Sequence, residues 1–145
     1  MNTCVKFFYK DSNRDLQKEA VITAFTTLAC QIIPLPDIVE VCIYKLPNNV
    51  YGGVDKKVNR LVINSNLLLE DTTKILAHEL IHVSQKHEGT LRITGSGVCY
   101  WRTIPYSNIL PEDMPYDEYM NLPWEVDVQN RQEDLITKVL QKFNT

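Results

Sequence analysis

At 145 residues the chain has the length of one ordinary domain, and its composition, 44% hydrophobic and 23% charged, is that of a globular protein. Disordered, collagen-like and coiled-coil chains are excluded on those figures. A formal charge of −3, with basic residues clustered no further than Lys56-Lys57, leaves no basic field to hold nucleic acid or an anionic membrane.

The N-terminal residues are not a basic region followed by an apolar run, so no signal peptide is expected. The longest apolar stretch, Ala20 to Ile33, is broken by threonines and a glutamine and is too short to span a bilayer. Cys4, Cys30, Cys42 and Cys99 are scattered, with no Cys-x-x-Cys pair, and read as reduced, mostly buried thiols of a cytoplasmic protein.

In chain order, residues 3–9 are rich in β-formers and predict a first strand. Ser12, with Asp15 three residues on, predicts a helix N-cap. Leu16, Ala20, Ala24, Leu28 and Ile32 then recur at helical spacing, giving a helix of about five turns that must stop before Pro34. Val39 to Leu46 predicts a second strand. Asn48-Asn49 and Gly52-Gly53 mark turns, and Val58 to Ile63 a third strand. From Asp71, a candidate cap, to Lys86 runs a helix closed by Gly89. Its apolar residues surround most of its circumference, as in a buried helix. Leu91 to Trp101 predicts a hairpin turning at Gly95-Ser96-Gly97, and residues 102–122 an irregular segment with three prolines. Pro123 suits the first position of a last helix reaching about Phe143, with Val128, Leu135, Ile136, Val139 and Phe143 as its apolar stripe.

All three histidines fall between positions 78 and 87, and two of them flank His78-Glu79-Leu80-Ile81-His82. Residues four apart on a helix lie about 40° apart in projection and one turn along, so both imidazoles can reach one tetrahedral ion. Glu79 projects about 60° from His82, near enough to act on a water held by that ion. The alternative is a pair of hydrogen-bonded core histidines with Glu79 paired to a lysine. Against it, three ionisable groups within one turn of an apolar helix are costly to bury without a compensating charge. His87 projects about 140° from His82 and reads as a surface residue. A third ligand is available in Glu125, which projection places inside the apolar stripe of the last helix. Asp127 falls about 160° away, on the solvent side. Otherwise Glu125 is an ordinary first-turn glutamate favoured by the helix dipole, and Glu112, Asp113, Asp117 and Glu118 are the remaining acidic candidates.

His78-Glu79-Leu80-Ile81-His82-Val83-Ser84-Gln85, followed by Tyr119-Met120-Asn121-Leu122-Pro123-Trp124-Glu125, resembles the small zincin-type metallopeptidases common in bacteriophage genomes. These pair a His-Glu-Leu-x-His-x-x-Gln helix with a later Pro-Trp-Glu segment, and the resemblance covers roughly residues 50–130. It implies the gluzincin arrangement, one Zn2+ per chain held by His78, His82 and Glu125. Relatives often carry a further acidic residue and alanine after the glutamate, where this chain has Val126-Asp127-Val128. Gln85 faces the ligand side of its helix, which suits either a support for a ligand or plain packing. By analogy with zincins, the strand around Leu61-Val62-Ile63 pairs with an extended peptide.

The resulting expectation is a single α+β, zincin-like domain spanning residues 1–145. A small mixed sheet packs on a buried metal-binding helix, with one helix N-terminal and one C-terminal to it. The expected activity is peptide-bond hydrolysis of a peptide or protein substrate. Zinc activates a water and polarises the carbonyl, and Glu79 serves as general base and then as proton donor to the leaving amine. Tyr106, Tyr116 and Tyr119 are candidates to stabilise the oxyanion, and packing residues otherwise. The competing reading is a module that binds metal or a partner without hydrolysis. No nucleic-acid or membrane partner is expected.

Overall fold

Three parallel strands and one antiparallel edge strand form the main sheet, in the order β1-β2-β4-β3. The elements are β1 (Cys4–Lys10), α1 (Leu16–Ala29), β2 (Ile38–Tyr44), β3 (Gly52–Val54), β4 (Arg60–Asn64) and α2 (Leu69–Glu88). Then follow β5 (Leu91–Ile93), β6 (Cys99–Trp101), β7 (Ile104–Tyr106), α3 (Tyr116–Met120) and α4 (Pro123–Phe143). The structure is a computed structural model and describes residues 3–10, 13–47, 50–54, 60–94, 98–106 and 114–144. It is a mixed α+β arrangement in which β5, β6 and β7 make a second, antiparallel sheet. Among the described residues no helix is long and apolar enough to cross a membrane.

The inward residues of the main sheet, Val39, Val41, Ile43, Leu61 and Ile63, are fully buried beneath α1 and α2. Helix α4 packs on α1 and α2 from the side away from the sheet, contributing Val128, Leu135 and Val139. Helix α2 therefore lies between a sheet and a helix, and every residue from Leu80 to Gln85 is buried. That accounts for its apolar circumference, since a helix covered on both sides has little polar face to offer.

Helix α1 buries a different face from the one its periodicity suggests. Of the expected stripe Leu28 and Ile32 pack against the core, half-buried, but Leu16, Ala20 and Ala24 are exposed, while Lys18, Ile22, Phe25, Thr26 and Ala29 are buried. Burying Ile22 and Phe25 removes far more apolar area from water than burying two alanines. Lys18 is tolerated on that face because its ammonium donates to the carbonyls of Ser65 and Leu67, at 2.9 and 3.0 Å. Burial lowers its pKa, with Asp15 opposing. The helix is also shorter than five turns. It is capped by Asp15, which accepts from the Lys18 N–H, and it gives way at Ala29 to a turn ahead of Pro34. The proposed cap at Ser12 lies outside the described residues.

Other expectations also shift. Gly52-Gly53 is part of an edge strand and not a turn. A Cβ on Gly52 would stand 2.8 Å from both Ile75 Cγ2 and the Val62 carbonyl oxygen, so β3 lies close against α2 only because this residue is glycine. Strand β4 has β2 on one side and β3 on the other, so residues 61–63 cannot receive an added strand. The irregular segment contains β7 and α3, and Pro105 sits on an edge strand where its missing N–H costs nothing. Helix α2 is capped at Leu68 without a side-chain bond, which leaves Asp71 within the first turn. Phe143 is exposed, and the cysteines form no disulfide among the described residues and are not buried: Cys4 is exposed and the other three are intermediate. The turns at Asn48-Asn49 and Gly95-Ser96-Gly97 lie outside the described residues.

Candidate metal centre

Two helices that are distant in sequence bring the site together. The middle of α2 carries His78, Glu79 and His82, and the first turn of α4 carries Glu125. Gly89, at φ 80°, ends α2 in the left-handed conformation that glycine adopts without strain. Pro123 opens α4 at a position where its missing N–H has no partner to lose, and so fixes where Glu125 falls.

The Glu125 carboxylate is almost wholly buried, with its side chain 1% exposed, and faces both imidazoles. His82 Nε2 is 3.1 Å from Oε1 and 2.9 Å from Oε2, and His78 Nε2 is 3.6 Å from Oε1. One donor atom from each of the three residues lies within 4.8 Å of the others. Ligands about 2.0–2.1 Å from a tetrahedral zinc stand about 3.3 Å apart, within the range of these separations. Among the described residues no hydrogen-bond donor is aligned with the buried Oε2 of Glu125, although His82 Nε2 stands 2.9 Å away, a costly state that a cation among the three donors would relieve. Two imidazoles and a carboxylate are also a zinc donor set. The residues fit a divalent cation.

The surroundings are polar in an ordered way. His82 Nδ1 is 2.8 Å from Gln85 Oε1, and His78 Nδ1 is 3.1 Å from Gln132 Oε1. The Gln85 amide donates to the Trp124 carbonyl and to Asp127, both at 2.9 Å, and Arg131 donates to the same Asp127 oxygen at 3.0 Å. Asp127 is therefore not turned to solvent as projection predicts. Projection assumes that α4 has neighbours on one side only, whereas the long Gln85 side chain reaches a second side of its first turn. His87 is exposed, as expected.

Burial would raise the Glu125 carboxyl, but the facing His78 and His82 imidazoles outweigh it and hold the carboxyl well below the usual carboxylate range. Burial likewise opposes protonation of His78, yet Glu125 and the nearby Glu79 raise its pKa above the ordinary value. Glu79 is 7% exposed, and burial pushes its carboxyl up despite the neighbouring His82 and His78. Burial therefore makes this carboxylate a stronger base than an exposed one.

Of the three tyrosines, Tyr116 is exposed and Tyr106 packs edge-on against Trp124 with ring centroids 5.6 Å apart. Tyr119 alone stands at the cluster, where burial and the Glu125 carboxylate raise its phenol and keep it neutral. Asp117 and Glu118 are exposed on α3, and Glu112 and Asp113 lie outside the described residues. Sequence reasoning overlooks Gln132, although it lies seven residues from Glu125, about 20° away on the same face of α4. The approach of β3 to Glu79, with a Cβ on Gly52 standing 3.7 Å from Glu79 Cγ, has no local signal.

Residues 12–96 match the model of a family described as "Putative metallopeptidase family (DUF6782)". The match begins just ahead of α1, in a part of the chain that the motif resemblance leaves out, and it ends before α4. No curated protein and no solved structure matches the chain.

Proposed function

The chain belongs to this metallopeptidase family, and from that premise we propose that it is a zinc-dependent, zincin-like peptidase of gluzincin type, folded as one domain over residues 1–145. The observation that carries the reading is the convergence of His78 Nε2, His82 Nε2 and a Glu125 carboxylate oxygen, with Glu79 buried beside them. His78, His82 and Glu125 would hold one Zn2+, which supplies Lewis-acid activation of a water and of the scissile carbonyl. Glu79 takes the proton from the attacking water and delivers it to the leaving amine. Tyr119, kept neutral, offers a hydroxyl proton to the oxyanion of the tetrahedral intermediate.

An extended peptide or protein segment is the proposed substrate. Among the described residues the outer edge of β3 pairs with no strand, and β3 runs beside Glu79. A peptide adding to that edge would satisfy its main-chain groups and pass the general base. A non-hydrolytic metal module is the second reading, favoured by the narrow opening: the His82 and Glu125 side chains are 11% and 1% exposed. We place the protein in the cytoplasm, of the host cell if phage-encoded, with no nucleic-acid or membrane partner.

Metal analysis of the purified chain together with turnover of a mixed peptide library tests this reading. Stoichiometric zinc and cleavage abolished by chelator are expected. Zinc without cleavage selects the second reading, and absence of zinc after metal-replete expression overturns both.

A further inference from the structure

The two imidazoles are each backed by a glutamine whose orientation is itself constrained. The Gln85 amide nitrogen donates both of its hydrogens, to the Trp124 carbonyl and to Asp127, and neither partner as a carbonyl or carboxylate can donate in return. The side chain thus cannot flip, and Oε1 is left facing His82 Nδ1 at 2.8 Å. An oxygen there can only accept, so Nδ1 carries a proton, and Nε2, which faces Glu125, is the nitrogen left to give its lone pair to a cation. Arg131 holds Asp127 in place from one turn further along α4.

We propose that Gln85 and Asp127 are positioning residues that fix the His82 tautomer for metal binding, a role that rests on the zinc reading above. Asp127 orients Gln85, Gln85 orients His82, and the chain of contacts ties the metal helix to the start of α4 in the same step. Gln132 does the same for His78 more weakly. Its carbonyl is 3.1 Å from His78 Nδ1, and its amide reaches the Lys74 carbonyl at 3.4 Å in an exposed position. Supports of this kind are worth about 10–100-fold in metal affinity.

The test is competitive chelator titration with zinc on the full chain, for Gln85→Leu, Gln85→Glu, Asp127→Asn and the double variant Gln85→Glu/Asp127→Asn. Gln85→Leu should lose about 10–100-fold in zinc affinity. Gln85→Glu should also lose affinity, because its carboxylate meets Asp127. The double variant should regain part of that loss, because the introduced asparagine amide then donates to the introduced carboxylate and leaves an oxygen for His82, while the Trp124 carbonyl still lacks its donor. Asp127→Asn alone should stay close to wild type, since its carbonyl can still accept. In the zinc-loaded wild type the His82 Nδ1 proton should give a slowly exchanging downfield resonance that Gln85→Leu removes. Wild-type affinity in Gln85→Leu, or a double variant no better than Gln85→Glu, overturns the proposal. The zinc-loaded wild type tests it with no substitution at all: a resonance showing His82 bound through Nδ1 also overturns it. If the wild type binds no zinc, the metal reading itself falls.

Discussion

His82 and Glu125, 43 residues apart in the chain, meet with Nε2 2.9 Å from Oε2 in the buried space between α2 and α4. Neither helix alone supplies the proposed donor set, since the nitrogens come from α2 and the carboxylate from α4. Glu125→Ala should therefore weaken zinc binding as severely as His78→Ala or His82→Ala. Each of the three should also shed the stability that bound zinc confers, since binding energy and folding energy are shared in such sites. Chelator titration and melting with and without zinc measure both. A Glu125→Ala protein with wild-type affinity would move the third ligand elsewhere.

Glu79→Gln separates chemistry from binding. The residue is outside the group of converging donor atoms and is buried beside it, so its amide should preserve fold and metal. Loss of a general base lowers the rate by about 10²–10⁴. Turnover of any cleaved peptide at equal zinc occupancy is the measurement, and an unchanged rate would remove Glu79 from the mechanism.

What the sequence reveals of this molecule follows the range of the interactions. The limits of α4 are legible because Pro123 marks its start and Val128, Leu135 and Val139 recur at helical spacing. The histidine pair is legible because four residues on a helix is a local relation. Helix α1 is misread because two faces compete, and the choice depends on what Ile22 and Phe25 meet in the sheet and on the loop carbonyls that receive Lys18. Strand β3 is hidden because its glycines resemble a turn, and only pairing with β4 makes them a strand. The Gln85–Asp127 contact joins two helices across 42 residues, and no periodicity within either helix encodes it.

The pH dependence should differ in sign between the metal-free and loaded proteins. His78 holds its proton above the ordinary 6.5, because Glu125 and Glu79 outweigh burial. Between 6.5 and the raised value the folded chain binds more protons than the unfolded chain, so this contribution is complete below 6.5 and is lost as pH rises through the folded pKa. Zinc requires the unprotonated imidazole, so its affinity should grow over the same interval. Melting of chelator-treated protein from about pH 6 to about pH 8 should show a falling Tm, while the increment on adding zinc increases. An increment that shrinks with pH would contradict histidine ligation.

Gly52 offers a test of how closely the edge strand must approach the site. A Cβ there would lie 2.8 Å from the Val62 carbonyl oxygen, a backbone atom within the sheet, and equally close to Ile75 Cγ2 on α2. The carbonyl cannot withdraw without moving β4, and the β-branched Ile75 side chain has one strongly preferred rotamer on a helix, so Gly52→Ala should push β3 away from α2. Overpacking of this kind costs about 1–3 kcal/mol. Gly53 is the internal control, since a Cβ at that position meets nothing within 4 Å and its φ is not positive. Gly53→Ala should stay within about 0.5 kcal/mol of wild type, as open surface positions do. Denaturant unfolding of the two metal-free variants compares the costs directly. If β3 also receives the substrate, Gly52→Ala should raise KM for an extended peptide while zinc affinity changes little. Equal stabilities for the two variants would mean that β3 sits further from α2 than the packing indicates, and the peptide path beside Glu79 would lose its support.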